Sequence, residues 1–206
     1  MRCVMCQFFL RRLERANRAW EMAHSGDERV WDLESALNLS RLEEANALFD
    51  VDPENTVSIY EDAARDGSAL AANLLGFCHS NGIGTAQDEE VAREYYLKAY
   101  RRGMRMAMIY YASLSYDTGD QTHIELYREG VADGFLPANY WLAAHRYARS
   151  PTRRTARKIA PLLDPAAAAG HPKARVMQFQ LRIRGKYGAS GFFEALKSFP
   201  MVWREV

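Results

Sequence analysis

From Ser68 to Gly103 the apolar positions follow helical spacing twice over, with a break between. Ala71, Leu74, Leu75 and Cys78 share one stripe, and Asn81-Gly82-Ile83-Gly84 then interrupts the chain. Asp88, followed by Glu89 and Glu90, has the chemistry of a helix N-cap, a short acceptor with further acids against the positive end of the helix dipole. A second stripe of Ala92, Tyr95, Tyr96 and Ala99 follows. The pattern predicts two antiparallel helices joined by a glycine loop. Such a pair cannot bury its apolar face alone, so it must stack on neighbours of the same kind.

The rest of the chain repeats this unit. Glycines at 67, 103, 134 and 170 are spaced 36, 31 and 36 residues apart, and each is followed four residues later by an alanine: Ala71, Ala107, Ala138 and Ala174. Four residues before them stand Ala63, Ala99, Gly130 and Ala166. Small residues on either side of a glycine let two helices meet at a tight corner, because glycine accepts the left-handed conformation that ends a helix and alanine lets backbones approach. Upstream, Asp52-Pro53 opens a helix that ends at Gly67. Helices over 7–24 and 28–49 precede it, with Gly26 at their corner and apolar contacts from Leu13, Ala16, Trp20, Trp31, Leu37, Ala45 and Leu48. Downstream, Pro161 and Pro165 predict that the second helix of the 135–170 unit is short or broken.

Ala71, Leu75-Gly76, Asn81-Gly82-Ile83-Gly84, Asp88, Ala92, Tyr95-Tyr96, Lys98-Ala99 and Gly103 together resemble a nearly complete Sel-one-like repeat, a relative of the tetratricopeptide repeat. The resemblance implies an all-α fold, an α-solenoid of stacked antiparallel helix pairs wound as a right-handed superhelix. It is strong over 68–103 and degenerate over 104–134 and 135–170. Residues 1–67 look like divergent N-terminal repeats and 171–206 like a C-terminal cap, so 1–206 is expected to form one helical-repeat domain.

The relatives imply a concave inner surface lined by the first helix of each pair. Carried over to this chain, the inward positions are Asn73, Phe77 and Ser80 in one unit. Ile109, Ser113 and Tyr116 follow in the next, and Tyr140, Ala144 and Tyr147 in the third. Tyrosine and asparagine combine contact area with hydrogen bonding, which suits an interface with another protein. The expected function is a non-catalytic scaffold that binds a protein partner, such as a bacterial immunity or inhibitor protein that caps a toxin. A regulatory adaptor in signalling is the alternative, as is RNA binding through the basic C-terminal half.

The 206 residues are 48% hydrophobic and 26% charged, ordinary values for a globular chain. Net charge is +1 but unevenly spread. Twelve acids and three bases lie between Asp27 and Asp66, whereas eleven bases and the single acid Asp164 lie between Arg146 and Lys186. In an elongated molecule that layout produces a dipole able to orient a charged partner. A near-neutral chain argues for an acidic protein or solvent, more than nucleic acid, beside the basic stretch.

Candidate chemistry is sparse. Cys3 and Cys6 lack the second ligand pair that a structural zinc site needs, and Cys78 falls on a core stripe. His123-Ile124-Glu125 has no downstream cysteine pair of the kind a zinc deaminase uses. Gly82-Ile83-Gly84 follows a helix and lacks the remaining residues of a dinucleotide or phosphate loop. Neither an active site nor a metal or cofactor is expected. The three cysteines fit a reducing compartment. With neither a signal peptide nor a membrane span read in the chain, a cytoplasmic location is expected. Phe192, Phe193, Phe199 and Trp203 are candidates for self-association, with the oligomeric state left open.

Overall fold

The structure, a computed structural model, describes residues 4–115 and 121–187. Among them every regular element is an α-helix: α1 (Val4–Ala23), α2 (Glu28–Leu33), α3 (Ala36–Leu48), α4 (Pro53–Arg65), α5 (Ala69–Asn81), α6 (Glu89–Arg101), α7 (Ala107–Ser115), α8 (Thr122–Ala132), α9 (Leu136–Arg149), α10 (Arg153–Ala168) and α11 (Pro172–Ile183). They form two compact units. The middle unit is Gly26–Leu126; the terminal unit joins Met1–Ser25 to Tyr127–Val206.

The four glycine corners are built identically, and their hydrogen bonds explain the repeated small residues. Gly67, Gly103, Gly134 and Gly170 have φ of 100°, 99°, 72° and 91°. At each corner the residue after the glycine donates its N–H back to the carbonyl of the small residue five positions earlier: Ser68 to Ala63 (3.0 Å), Met104 to Ala99 (3.0 Å), Phe135 to Gly130 (2.7 Å) and His171 to Ala166 (2.9 Å). This is the six-residue closure that satisfies the orphan carbonyls of a helix end. A fifth closure, Lys186 N–H to the Leu181 carbonyl at 2.9 Å around Gly185, follows α11, where the larger Leu181 hides it from the small-residue pattern.

In the middle unit α3 packs on α4, α4 on α5, α5 on α6 and α6 on α7. Tyr60, Ala63, Ala71, Leu75, Cys78, Ala92 and Ala99 are completely buried. The glycine of the Leu75-Gly76 pair has a packing reason, since a Cβ there would lie 2.7 Å from the Tyr96 ring. Asp88 caps α6 through Glu90 N–H (2.9 Å) and Val91 N–H (3.0 Å), and Asp52 caps α4 through Asn55 N–H (3.2 Å). One cap comes from far away in sequence: the buried Asp27 carboxylate accepts from Arg105 N–H (2.8 Å) and Met106 N–H (3.1 Å), just ahead of α7.

The helix expected over 28–49 is instead two. Glu34 is extended, Ser35 caps α3 through Asn38 N–H (3.1 Å), and the Glu34 carboxylate turns to accept from the Ser68 hydroxyl (2.9 Å) and Leu70 N–H (3.2 Å) at the start of α5. The break changes the helical phase. Val30, Leu42 and Ala45 are buried, while Trp31 and Leu37, expected among the apolar contacts, are 54% and 58% exposed and lie outside the buried core.

In the terminal unit α9 packs on α10, α10 on α11 and α1 on α11. Its core includes Ala143, Ala156, Ile159, Leu163, Ala166, Ala174 and Leu181. Here α10 overturns the expectation of a short or broken helix: it runs 16 residues with both prolines inside it. Pro161 and Pro165 are four apart, so they share one face, and both are exposed. The carbonyls left without an N–H partner are therefore on the solvent side, and the buried stripe is untouched.

Candidate partner-binding surface

The positions that the resemblance assigns to the inner surface occur in both units. On α5 of the middle unit, Leu75 and Cys78 point into the core and Phe77 points out, with 42% of its surface exposed. The turn beneath Phe77 is braced by side chains. Its carbonyl accepts from the Ser80 hydroxyl (3.0 Å) and the Asn81 amide (2.8 Å), and the Gln87 amide donates to the Ser80 carbonyl (3.0 Å). An exposed aromatic ring is thus held on a hydrogen-bonded helix end beside polar groups. Asn73 and Ser80 are half-buried. On α7, Ser113 is exposed and donates to the Tyr110 carbonyl (2.7 Å), whereas Ile109 is buried and contributes to packing. Tyr116 lies outside the described residues, as do Cys3 and the four residues offered for self-association.

A recess that no motif announced lies between α4 and α6. It measures about 390 Å³ and is lined by Glu61, Ala64, Arg65, Tyr95, Lys98 and Arg102. The Lys98 ammonium sits 4.8 Å from the Tyr95 ring centre, and His79 stacks on the same ring at 5.4 Å. Burial raises the Tyr95 pKa, helped by Glu61 and Glu94 and opposed by Arg65. Arg102 is already committed to the Ala64 (2.8 Å) and Ser68 (3.2 Å) carbonyls, pinning the first corner. The lining residues come from two helices, those of one at least thirty positions from those of the other, so sequence spacing alone could not reveal the recess.

In the terminal unit, Tyr140 is half-buried against Trp141 and His171, with ring centres 5.1 and 4.8 Å away. Burial first, then the negative charges of Glu14 and Glu21, push its hydroxyl pKa up. Ala144 is half-buried, and Tyr147 packs on the core of this unit. The Trp141 indole donates to Glu21 Oε1 (2.7 Å), and His171 Nε2 lies 3.3 Å from the same oxygen. Sequence reasoning missed Glu21, Trp141 and His171, whose meeting depends on contacts 120 and 150 residues apart. Of the basic stretch, Arg146, Arg149, Arg153, Arg154, Arg157 and Lys158 are exposed. Cys78 is buried, which pushes its thiol up to about 11. Among the described residues no group of three or more histidines, cysteines or carboxylates could hold a metal ion, and no helix is long and apolar enough to cross a membrane.

No protein-family model matches the chain, and no curated protein matches it in sequence. Solved structures do. A Sel1 repeat protein from Oxalobacter formigenes superposes with a TM-score of 0.68 at 15% identity, over 92% of this chain and 84% of that one. A protective antigen of uropathogenic Escherichia coli displaying an SLR fold gives 0.59 at 23% identity. That match covers 73% of this chain and 34% of the antigen, so the chain spans about a third of its length. An immunity protein from Pseudomonas aeruginosa is similar only at a TM-score of 0.49, over 73% of this chain, which bears no functional weight. The fold of this chain is the helical-repeat fold of Sel1 repeat proteins.

Proposed function

We propose that this chain, folded as Sel1 repeat proteins are, is a non-catalytic scaffold that binds another protein through the exposed side of its first helices. The observation that carries the reading is Phe77. Phe77 leaves 42% of its surface in solvent on a helix whose opposite face is fully buried, and the exposed part of its ring offers a partner an apolar contact. Ser80 and the exposed Ser113 add hydrogen-bonding groups within the same unit. The finer form of the proposal is an inhibitor that caps a toxin, or an adaptor that holds a signalling protein. Both use the same surface and need no reaction.

Phe77→Ala combined with Ser113→Arg tests it by quantitative affinity capture against the intact chain. Recovery of the captured protein should fall at least about tenfold, since a central aromatic anchor is worth about 2 kcal/mol or more. Unchanged recovery by a variant with an unaltered circular dichroism spectrum removes the reading. Basic α9 and α10 residues, exposed at Arg146, Arg153, Arg154, Arg157 and Lys158, favour RNA as the second reading. Labelled RNA titrated at low and moderate salt decides that one, because phosphate contacts give a steep salt dependence.

A further inference from the structure

Helix α1 lies in the terminal unit, although the helices that follow it in sequence belong to the other. Besides the buried Leu13, a row of polar contacts joins it to α9 and to the corner between α10 and α11. The Trp20 indole donates to the Ala169 carbonyl (3.1 Å), at the end of α10 where carbonyls lack helical partners. Asn17 accepts from Lys173 N–H (3.3 Å), an orphan donor of the first turn of α11. Glu14 pairs with the Lys173 ammonium at 2.7 Å. Glu21 accepts a hydrogen bond from the Trp141 indole N–H and faces His171, Glu21 and His171 being almost completely buried. Glu14, Asn17, Trp20 and Glu21 are spaced as one face of a helix, so the corner reads a helix by its side chains.

The fit is incomplete in one respect. Arg11, Arg12, Arg15 and Arg18 are exposed on the same helix, which therefore brings four positive charges to a unit carrying eleven bases and one acid between Arg146 and Lys186. The docked side of α1 is complementary to that unit and the rest of α1 is not. A helix with the same contact residues and no arginines would be attracted more strongly.

We propose that the corner of α9, α10 and α11 is a recognition site for an acidic amphipathic helix of a partner protein, and that α1 occupies it in cis until that helix displaces it. This rests on the scaffold reading above and names a partner chemistry for it. The partner helix presents a carboxylate to Trp141 and His171, an amide or carboxylate to the start of α11, and an aromatic donor to the Ala169 carbonyl.

The test uses the full chain and a labelled synthetic peptide spanning Arg11–Ser25 with its four arginines replaced by glutamine. Fluorescence anisotropy should show saturable binding. Affinity should be about tenfold higher for the full chain carrying Trp20→Ala and Glu21→Ala, because the internal competitor is weakened. Binding should vanish with His171→Ala plus Trp141→Phe. Hydrogen exchange on the unmodified chain gives an independent readout that no folding defect can confuse: excess peptide should expose the amides of α1 while protecting those of α11. Absence of peptide binding, or binding that leaves α1 protected, overturns the proposal and makes α1 a fixed structural helix. Neither result touches the Phe77 test, so the two readings fail separately.

Discussion

At the scale of single residues, the two glycines of the best repeat unit do different work. Gly76 leaves room for a ring, whereas Gly84 combines a φ of 65° with direct contact against another helix, since a Cβ there would run into the Pro53 carbonyl at the start of α4. Backbone cannot move aside as a flexible side chain can. Gly84→Ala is expected to lower unfolding stability by about 3 kcal/mol through strain and overpacking together. Urea denaturation followed by circular dichroism measures it, and a loss below about 1 kcal/mol would show that the loop relaxes at little cost. Both glycines were visible in the sequence as parts of a motif. Why they are needed was not, because Tyr96 and Pro53 reach them only through folding.

Among the elements, the ones that depend on neighbours within a few residues were legible: the caps at Asp52 and Asp88 and the corners after α4, α6, α8 and α10 all close within six residues. Where an element's fate hung on what it packs against, the sequence misled. The helical pattern continues through Glu34 and Ser35, yet the chain breaks there, with the Glu34 carboxylate bridging the start of α5 and Asn38 of α3. In α10 the buried stripe of Ala156, Ile159, Leu163 and Ala166 outweighs two prolines that local propensity treats as breakers. The prolines still weaken the helix they sit in. Pro161→Ala should restore a hydrogen bond to the Arg157 carbonyl and stabilise the chain by about 1 kcal/mol, after the loss of unfolded-state restriction is subtracted. A melting temperature that falls in that variant would mean the proline ring is packed to advantage.

For the molecule as a whole, buried acids of very weak character set a limit at alkaline pH. Burial lifts Cys78 from 9.0 to about 11, and burial, followed by the nearby Cys78, lifts Tyr60 from 10.0 to about 12. Tyr140 in the terminal unit is shifted the same way. In each case the unfolded chain releases its proton at lower pH than the folded chain does. The unfolded state then binds fewer protons, so stability falls as pH rises, beginning near pH 9 as the unfolded thiol titrates and steepening through pH 11. Chemical denaturation at a series of pH values should show this decline. Cys78→Ala should remove its early part, and a flat profile from pH 9 to 11 contradicts the burial of the thiol.

What the amino-acid order determined unaided is the grammar of the repeat: the helical class, the glycine corners and the caps of α4 and α6. Those outcomes are decided by hydrogen bonds and dihedral preferences spanning a handful of positions, so they are written locally. The capping of α7 by Asp27, the break after Leu33, the recess beside Tyr95 and the seating of α1 against His171 join groups from about thirty to 150 residues apart. Only tertiary structure settles them, because each buried polar group takes whichever partner packing brings within reach, and no local pattern encodes that choice.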